Sequence, residues 1–153
     1  MQIKVGQTAP EFSLYDSERN KVSLADFKGK NVLILFYPQA FSSTCTEELC
    51  TVRDDIARYN SSNAVVLGIS VDSVFTLKRY RDEQGYNFPL LSDPELEVHK
   101  TYGAFGTKSM YGKTYEGVIR STFAIDEKGK ITLALYNVKA TGHVAMLRKL
   151  LGI

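Results

Sequence analysis

Two uninterrupted apolar runs, separated by one helical segment, constrain the fold of this chain more than any other feature. Residues 31–36 read NVLILF, and residues 64–71 form a second run that is rich in branched side chains. Runs of this length are typical of strands that are covered on both faces. Strands that a helix separates usually pair in parallel through a right-handed crossover. The two runs therefore predict an α/β domain with parallel central strands.

Shorter patterns extend this core in both directions and add an antiparallel edge to the sheet. Alternating apolar residues predict short strands near the start, and turn signals divide the second half of the chain. After the second run, we predict a helix from Ser73 to Gly85, a short strand at 89–92, a helix that opens at Pro94 and continues to about Tyr102, an irregular segment at 103–115, a hairpin of 117–125 with 130–138, and a last helix from about Thr141. The prediction is one domain, residues 1–153, in which helices flank a mixed central sheet that has an N-terminal extension.

Both cysteines of the chain lie in the segment that joins the two runs. Residues 42–44 have hydroxyl side chains that can cap a helix, which predicts a helix from Ser42 or Ser43 to about Tyr59. Cys45 falls in the first turn, where unpaired backbone N–H groups and the positive end of the helix dipole stabilise a thiolate. The thiolate is the form in which a cysteine attacks. Reactive groups of open α/β sheets lie beyond the carboxyl end of a central strand, which is where Cys45 falls.

The spacing of Cys45 and Cys50 has a geometric consequence. In an intact helix, residues five positions apart are separated by about 7.5 Å along the axis, which places their Cα atoms about 8.6 Å apart. A disulfide needs Cα atoms within about 7 Å of each other. The two cysteines can therefore form a disulfide only if the first turns of the helix unwind.

The residues alone leave three interpretations of the two cysteines open. They can be incidental side chains of a helix, they can form a reactive pair, or they can bind a metal together with His99 and His143. Neither the spacing of the cysteines nor the separation of the histidines matches a known zinc pattern, which argues against the metal site.

Composition narrows the classes of function. The net charge is +2, which offers no case for nucleic acid or an anionic membrane as a partner. The start of the chain has no apolar leader segment, and the longest apolar run, residues 32–37, is far shorter than the roughly 20 residues that span a bilayer. We therefore expect a cytoplasmic protein. Cysteines in that compartment are more often catalytic, redox-active or inert than structural cross-links.

The cysteine segment resembles the active-site motif of a known family. Pro38, Ser42 and Cys45 match the Pro-x-x-x-Thr/Ser-x-x-Cys pattern of the peroxiredoxins, within the alkyl hydroperoxide reductase / thiol-specific antioxidant family. Cys50 is similar to the resolving cysteine of their bacterioferritin comigratory protein (Q-type) subgroup. Ser42 replaces the Thr that is more frequent in the subgroup, and residues 43–44 replace a frequent Pro-Gly. The resemblance extends over nearly the whole chain, through segments 6–14, 88–93 and 117–123.

This resemblance implies a thioredoxin-like three-layer sandwich that reduces hydrogen peroxide and organic hydroperoxides without a metal or prosthetic group. By matching positions, Cys45 is the peroxidatic nucleophile, Ser42 is its hydroxyl partner, and Pro38 shields it. Arg120 is the cation that favours the thiolate and orients the peroxide. A cation is needed because the acidic residues 47–48 repel an anion. The residues alone put Arg120 in an apolar strand, where a single arginine usually faces solvent.

The resemblance also implies a catalytic cycle and its partners. Cys45 is oxidised to a sulfenic acid, Cys50 condenses with it to an intramolecular disulfide, and thioredoxin or a similar dithiol protein reduces that disulfide. Two functions on the same fold are the alternatives: a thiol–disulfide oxidoreductase and a redox-sensing protein. The separation of the cysteines argues against the first, because that chemistry favours Cys-x-x-Cys. A monomer is expected, with a dimer as the alternative.

Overall fold

The computed structural model describes residues 2–138, and a mixed sheet lies at the centre of them. The strands are β1 (Ser13–Asp16), β2 (Lys21–Ser23), β3 (Asn31–Phe36), β4 (Ala64–Ser70), β5 (Leu90–Ser92), β6 (Phe105–Met110), β7 (Lys113–Val118), β8 (Ser121–Ile125) and β9 (Ile131–Leu135). The helices are α1 (Ser43–Ser61), α2 (Val74–Gln84) and α3 (Glu97–Thr101), with a 3₁₀ helix at Leu24–Phe27. Seven strands form the central sheet in the order β2-β1-β5-β4-β3-β8-β9, and β6 pairs with β7 in a second sheet.

The position of β3 explains why the sheet is mixed. It pairs in parallel with β4, so that Leu33 lies opposite Val66 and Phe36 lies opposite Ile69. On its other side it pairs antiparallel with β8. β5 continues the parallel pairing beyond β4, and β1 joins β5 antiparallel. The parallel core that the two apolar runs predict is confirmed, as is the antiparallel edge.

The side chains of β3 alternate between two apolar clusters, one on each face of the sheet. Leu33 and Leu35 lie in the cluster that contains the buried residues of α1 and α2. Ile34 and Phe36 lie in the other cluster, together with Phe123 of β8. Successive side chains of a strand point to opposite faces, so a run that is apolar at every position is buried on both. This burial fixes the strand whose carboxyl end leads into α1.

The second helix begins and ends where the sequence predicts. Ser73 caps α2, because its Oγ accepts the Thr76 N–H at 3.2 Å. Gly85 ends the helix with a φ of +66°, a left-handed conformation that glycine adopts without steric cost. Leu77 and Tyr80 are buried on the inner side of α2, whereas Phe75 is exposed.

The start predicted for the third helix is wrong. Pro94 and its neighbour form a turn, and α3 begins only at Glu97. The turn is followed by Leu96 in a left-handed conformation, with a φ of +62°. The carboxylate of Asp93 accepts the backbone N–H of His99 at 2.8 Å. This contact holds the intervening residues in a turn, so the helix begins only after them.

The segment 103–115, predicted to be irregular, contains most of a β-hairpin. β6 pairs antiparallel with β7, with Phe105 opposite Val118. Tyr111 and Gly112 form the turn with φ values of +53° and +77°. Two successive positive φ values are the requirement of a type I′ turn, which Asn-Gly or Asp-Gly usually provides. Because Tyr111 occupies the first of these positions, the sequence does not show the usual pattern of this turn.

The β6–β7 hairpin also shortens the predicted hairpin of 117–125 with 130–138. β8 begins at Ser121, so Arg120 lies in the link between β7 and β8. The prediction that Arg120 lies inside a strand is therefore wrong. The antiparallel pairing of β8 with β9 confirms the rest of that hairpin. The predicted last helix, from about Thr141, and His143 lie outside the described residues. None of the helices within residues 2–138 is long and apolar enough to cross a membrane.

Candidate active site

Cys45 lies in the first turn of α1, beyond the carboxyl end of β3. Ser42 caps this helix: its Oγ accepts the Cys45 N–H at 3.2 Å, and its carbonyl accepts the Thr46 N–H at 2.9 Å. The hydroxyl of Ser42 can still donate its own proton, because a hydroxyl both accepts and donates. Cys45 is 1% exposed, so only a substrate with a slender reactive end can reach its sulfur.

Arg120 reaches this turn from the link between β7 and β8. Its Nη2 donates to the Cys45 Sγ at 2.9 Å, and its Nη1 donates to the Glu48 carboxylate at 2.5 Å. The Arg120 side chain is 11% exposed, so little water screens these contacts. A guanidinium stays protonated in proteins, so a fixed positive charge lies against the sulfur. The structure thus brings Arg120 to Cys45.

Glu48 is the residue that sequence reasoning misjudged. From the sequence, Glu48 is expected only to oppose a thiolate by its charge, yet its side chain is buried and paired with Arg120. Burial raises the pKa of Glu48, while the charge and the hydrogen bond of Arg120 act in the opposite direction. The available signal was its spacing, because Cys45 and Glu48 are three positions apart and share one face of α1.

Buried aromatic residues share the apolar cluster that contains Cys45. Tyr37 is fully buried in the same apolar cluster as Cys45. Phe41 has a φ of +67° and packs on Tyr80, with 4.8 Å between the ring centroids. Pro38, the predicted shield, is half-buried in the loop that follows β3. Cys45 itself is buried, so its sulfur has little contact with solvent.

Cys50 lies five residues further along α1 and is not bonded to Cys45. Its thiol donates to the Gln84 Oε1 at 3.6 Å and approaches the Tyr86 hydroxyl at 3.8 Å. Ideal helix geometry separates the Cα atoms of the two cysteines by about 8.6 Å. The prediction that the cysteines are unbonded while both lie in an intact helix is confirmed.

His99 lies away from the cysteines, on the other face of the sheet. It is fully buried, its Nδ1 lies 2.6 Å from the Asp93 Oδ2, and its ring packs on Phe36 with 4.9 Å between centroids. The interpretation that His99 and the cysteines bind one metal ion together is therefore wrong. Within the part of the chain that the structure describes, no three His, Cys, Asp or Glu side chains converge as metal ligands.

The arrangement has the parts of an anion-stabilised nucleophile. A thiolate at Cys45 receives a charged hydrogen bond from Arg120 and lies at the positive end of α1. Arg120 can also hold a polar substrate atom that approaches the sulfur, and the Ser42 hydroxyl lies 3.2 Å from the Cys45 backbone nitrogen. Such a site favours attack on a small electrophile that gains negative charge as it reacts.

Proteins of known sequence resemble this chain along most of its length. A family model described as the AhpC/TSA family matches residues 5–134. A putative peroxiredoxin of Mycobacterium tuberculosis (strain CDC 1551 / Oshkosh) is 52% identical over 152 residues, which cover 99% of this chain and 97% of that relative. Peroxiredoxin Bcp of Escherichia coli (strain K12) is 40% identical over 141 residues, which cover 92% of this chain and 90% of that relative.

Solved structures also resemble this fold. The bacterioferritin comigratory protein of Xanthomonas campestris, described there for its alkyl peroxide reduction activity, has a TM-score of 0.87 and 29% identity, over 92% of this chain and 90% of that chain. A cysteine-to-serine mutant of Xylella fastidiosa PrxQ has a TM-score of 0.92 and 28% identity, over 99% of this chain and 97% of that chain. These likenesses confirm the predicted thioredoxin-like sandwich.

Proposed function

This chain belongs to the AhpC/TSA family and is a peroxiredoxin, an antioxidant thiol-dependent peroxidase, and we propose that Cys45 is the cysteine that attacks the peroxide. One observation carries this assignment: the Arg120 guanidinium lies 2.9 Å from the Cys45 sulfur at the amino end of a helix. A nucleophilic cysteine needs a stabilised thiolate, and both groups supply that stabilisation. Cys50 has no comparable cation within hydrogen-bond distance among the described residues.

The first step oxidises Cys45 and reduces the peroxide. The thiolate attacks the OH oxygen of the peroxide, and the S–O bond forms as the O–O bond breaks. Cys45 becomes a sulfenic acid, and the leaving oxygen takes a proton to become water or an alcohol. We assign to Arg120 and the Ser42 hydroxyl the stabilisation of the charge that spreads over the two oxygens. Pro38 limits the access of water to the sulfur.

The second step uses Cys50 as the resolving cysteine. Its thiol loses a proton and attacks the sulfur of Cys45, and the hydroxyl of the sulfenic acid leaves as water. A disulfide between Cys45 and Cys50 results. Because ideal helix geometry keeps the two Cα atoms about 8.6 Å apart, the first turns of α1 unwind before the bond forms.

The third step needs two electrons from outside the chain. Thioredoxin or a similar dithiol protein attacks the disulfide, passes through a mixed disulfide, and leaves oxidised while both cysteines return to thiols. The enzyme acts on hydrogen peroxide and organic hydroperoxides in the cytoplasm, as a monomer, without a metal or prosthetic group. The cytoplasm is the compartment that keeps such dithiols reduced. Cell fractionation and light scattering check the location and the monomeric state.

Removing the nucleophile tests the central assignment. The wild-type chain should consume hydrogen peroxide with a thioredoxin system as reductant, and Cys45→Ser should abolish that consumption because a hydroxyl is a far weaker nucleophile than a thiolate. The measurement is the rate of hydrogen peroxide consumption by each of the two proteins. If Cys45→Ser kept the wild-type rate, the assignment of Cys45 would be wrong.

Removing the resolving cysteine separates the two half-reactions. Cys50→Ser should still consume about one equivalent of peroxide per chain but lose turnover with thioredoxin, because no disulfide forms. Mass spectrometry of the wild type after one equivalent of peroxide should show the loss of two hydrogens, mapped to a Cys45–Cys50 link. Full turnover by Cys50→Ser would exclude Cys50 as the resolver and leave the role of Cys45 intact.

A further inference from the structure

The loop that joins β3 to α1 is held at its centre by a side chain from the neighbouring strand end. The backbone N–H of Ala40 donates to the Oδ2 of Asp72 at 2.8 Å. Ala40 is buried, so water does not compete well for this hydrogen bond. β3 and β4 run parallel, which brings the loops that follow them to the same end of the sheet. Asp72 is thus a long-range partner of the segment that delivers Cys45.

Asp72 is itself fixed by two buried serines. The Oγ of Ser70 donates to the same Oδ2 at 2.9 Å, and the Asp72 N–H donates to that Oγ at 3.3 Å. The Oγ of Ser92 donates to the Asp72 carbonyl at 2.6 Å. Because Ser70 ends β4 and Ser92 ends β5, Asp72 is anchored on two adjacent strands of the central sheet. A group anchored in this way can hold a loop in one place.

The loop transmits its position to the reactive sulfur. Ala40 precedes Phe41, whose φ of +67° is a strained conformation for a bulky side chain. Such strain persists only where surrounding contacts enforce it. Phe41 turns the chain so that Ser42 caps α1 and accepts the Cys45 N–H. Asp72 is therefore connected to Cys45 through one hydrogen bond, one strained residue and the helix cap.

We propose that Asp72 is a positioning residue for the peroxidase reaction, which by holding Ala40 keeps the first turn of α1 where the Cys45 sulfur meets Arg120. The inference rests on the proposed role of Cys45. In-line attack depends on distance and direction, and a displacement of about 1 Å can slow a reaction by about 100-fold. Asp72 acts through the oxygen that accepts the Ala40 N–H. Its negative charge does not help the reaction, because a negative charge repels a thiolate.

Three variants separate the acceptor from the charge. Asp72→Ala removes both, and we expect the reaction of Cys45 with hydrogen peroxide to slow by about tenfold. Asp72→Asn keeps an acceptor oxygen at the same distance from the backbone, so it should react at the wild-type rate. Asp72→Glu keeps the charge but moves the carboxylate away by one methylene, so it should be slowed, and it replaces the alanine variant if that variant does not fold. The measurement is the loss of the free Cys45 thiol over time by quenched mass spectrometry.

A neighbouring cap provides a matched control. Ser73→Ala removes the hydroxyl that caps α2, one residue from Asp72, but leaves the bond to Ala40 in place. It should lower the melting temperature and leave the peroxide rate unchanged. The inference is overturned if Asp72→Ala or Asp72→Glu reacts as fast as the wild type, if Asp72→Asn is as slow as Asp72→Ala, or if Ser73→Ala is equally slow. A wild-type chain whose Cys45 ignores peroxide would overturn the proposed function and this inference with it.

Discussion

At the scale of single residues, the forked side chain of Arg120 links Cys45 to Glu48. One branch of the guanidinium contacts the Cys45 sulfur and the other contacts the Glu48 carboxylate. Glu48 holds the guanidinium in one orientation, which is what a planar donor with two parallel branches permits. The cost is a carboxylate that is buried close to Cys45, and this burial raises the pKa of Glu48. Glu48 thus orients Arg120 but offsets part of the positive charge that Arg120 presents to Cys45.

Replacing Arg120 tests how much the thiolate depends on it. Arg120→Met keeps most of the length of the side chain and removes both donors, so we expect the reaction of Cys45 with peroxide to slow on the order of 100-fold. Stopped-flow measurement of peroxide consumption gives the rate. Arg58→Met removes an exposed arginine near the end of α1 and should react like the wild type. Equal rates for the two variants would contradict the role of Arg120.

These residues also show what the sequence reveals about the site. Ser42, Cys45 and Cys50 lie in one continuous segment, so helix geometry alone predicts their placement. It also predicts the distance between the Cα atoms of the two cysteines. Arg120 is far away in the chain and was assigned only through resemblance. Its neighbour contact with Glu48 was missed, because no local pattern reports which charges a folded sheet brings together.

At the scale of elements, α1 is tied to α2 along one polar row. Thr46, Cys50 and Arg53 recur at helical spacing and share one side of α1. The Thr46 Oγ1 lies 3.0 Å from the Tyr80 hydroxyl, the Cys50 thiol donates to the Gln84 side chain, and Arg53 donates to the Gln84 carbonyl at 2.5 Å. Unwinding the first turns of α1 in the proposed cycle breaks the contacts of Thr46 and Cys50, whereas Arg53 lies further along the helix and can stay bonded to Gln84. The ties set the free energy of opening.

Removing one tie should speed the formation of the disulfide. Tyr80→Phe keeps the buried ring and deletes the hydroxyl that bonds Thr46 on α1 and also Tyr86. The loss of one hydrogen bond lowers the free energy of opening by about 1 kcal/mol, which corresponds to about fivefold faster disulfide formation after peroxide. Quenched samples analysed by mass spectrometry report the Cys45–Cys50 link. Tyr15→Phe, at an exposed position of β1, should leave the rate unchanged. A Tyr80→Phe rate equal to that of the wild type would show that this tie does not limit opening.

The elements that sequence patterns predict well are those with local signals. β3, α1 and α2 carry apolar runs or clear caps, and their bounds follow from them. The β6–β7 hairpin was missed because Tyr111 occupies a position of positive φ that usually belongs to Asn, Asp or Gly. The start of α3 was missed because the contact of Asp93 with His99 is set by the fold and overrides the preference of Pro94 for a first helical turn.

At the scale of the whole molecule, the Asp93–His99 pair makes stability depend on pH. Asp93 and His99 are both buried, and the Asp93 N–H donates to Ser70, which links α3 to the ends of β4 and β5. Burial raises the pKa of Asp93, but the hydrogen bonds and charge of His99 outweigh it and hold the pKa below its ordinary value of 3.8. A pKa lowered by folding means that the pair stabilises the fold above that value and loses this contribution as the pH falls through the folded pKa.

Asp93→Asn should therefore destabilise the protein at neutral pH more than in acid. The amide can accept only a neutral hydrogen bond from His99, so we expect the free energy of unfolding to fall by about 2 kcal/mol at about pH 7. Urea denaturation repeated at decreasing pH should show the difference between variant and wild type shrinking as Asp93 becomes protonated. Both proteins contain Glu48, so the effect of its titration cancels in the difference between them. The raised pKa of Glu48 acts in the opposite direction: its contribution to stability is present at low pH and is lost as the pH rises through the folded pKa. A deficit that stayed constant down to about pH 3 would contradict the titration of Asp93 as its cause.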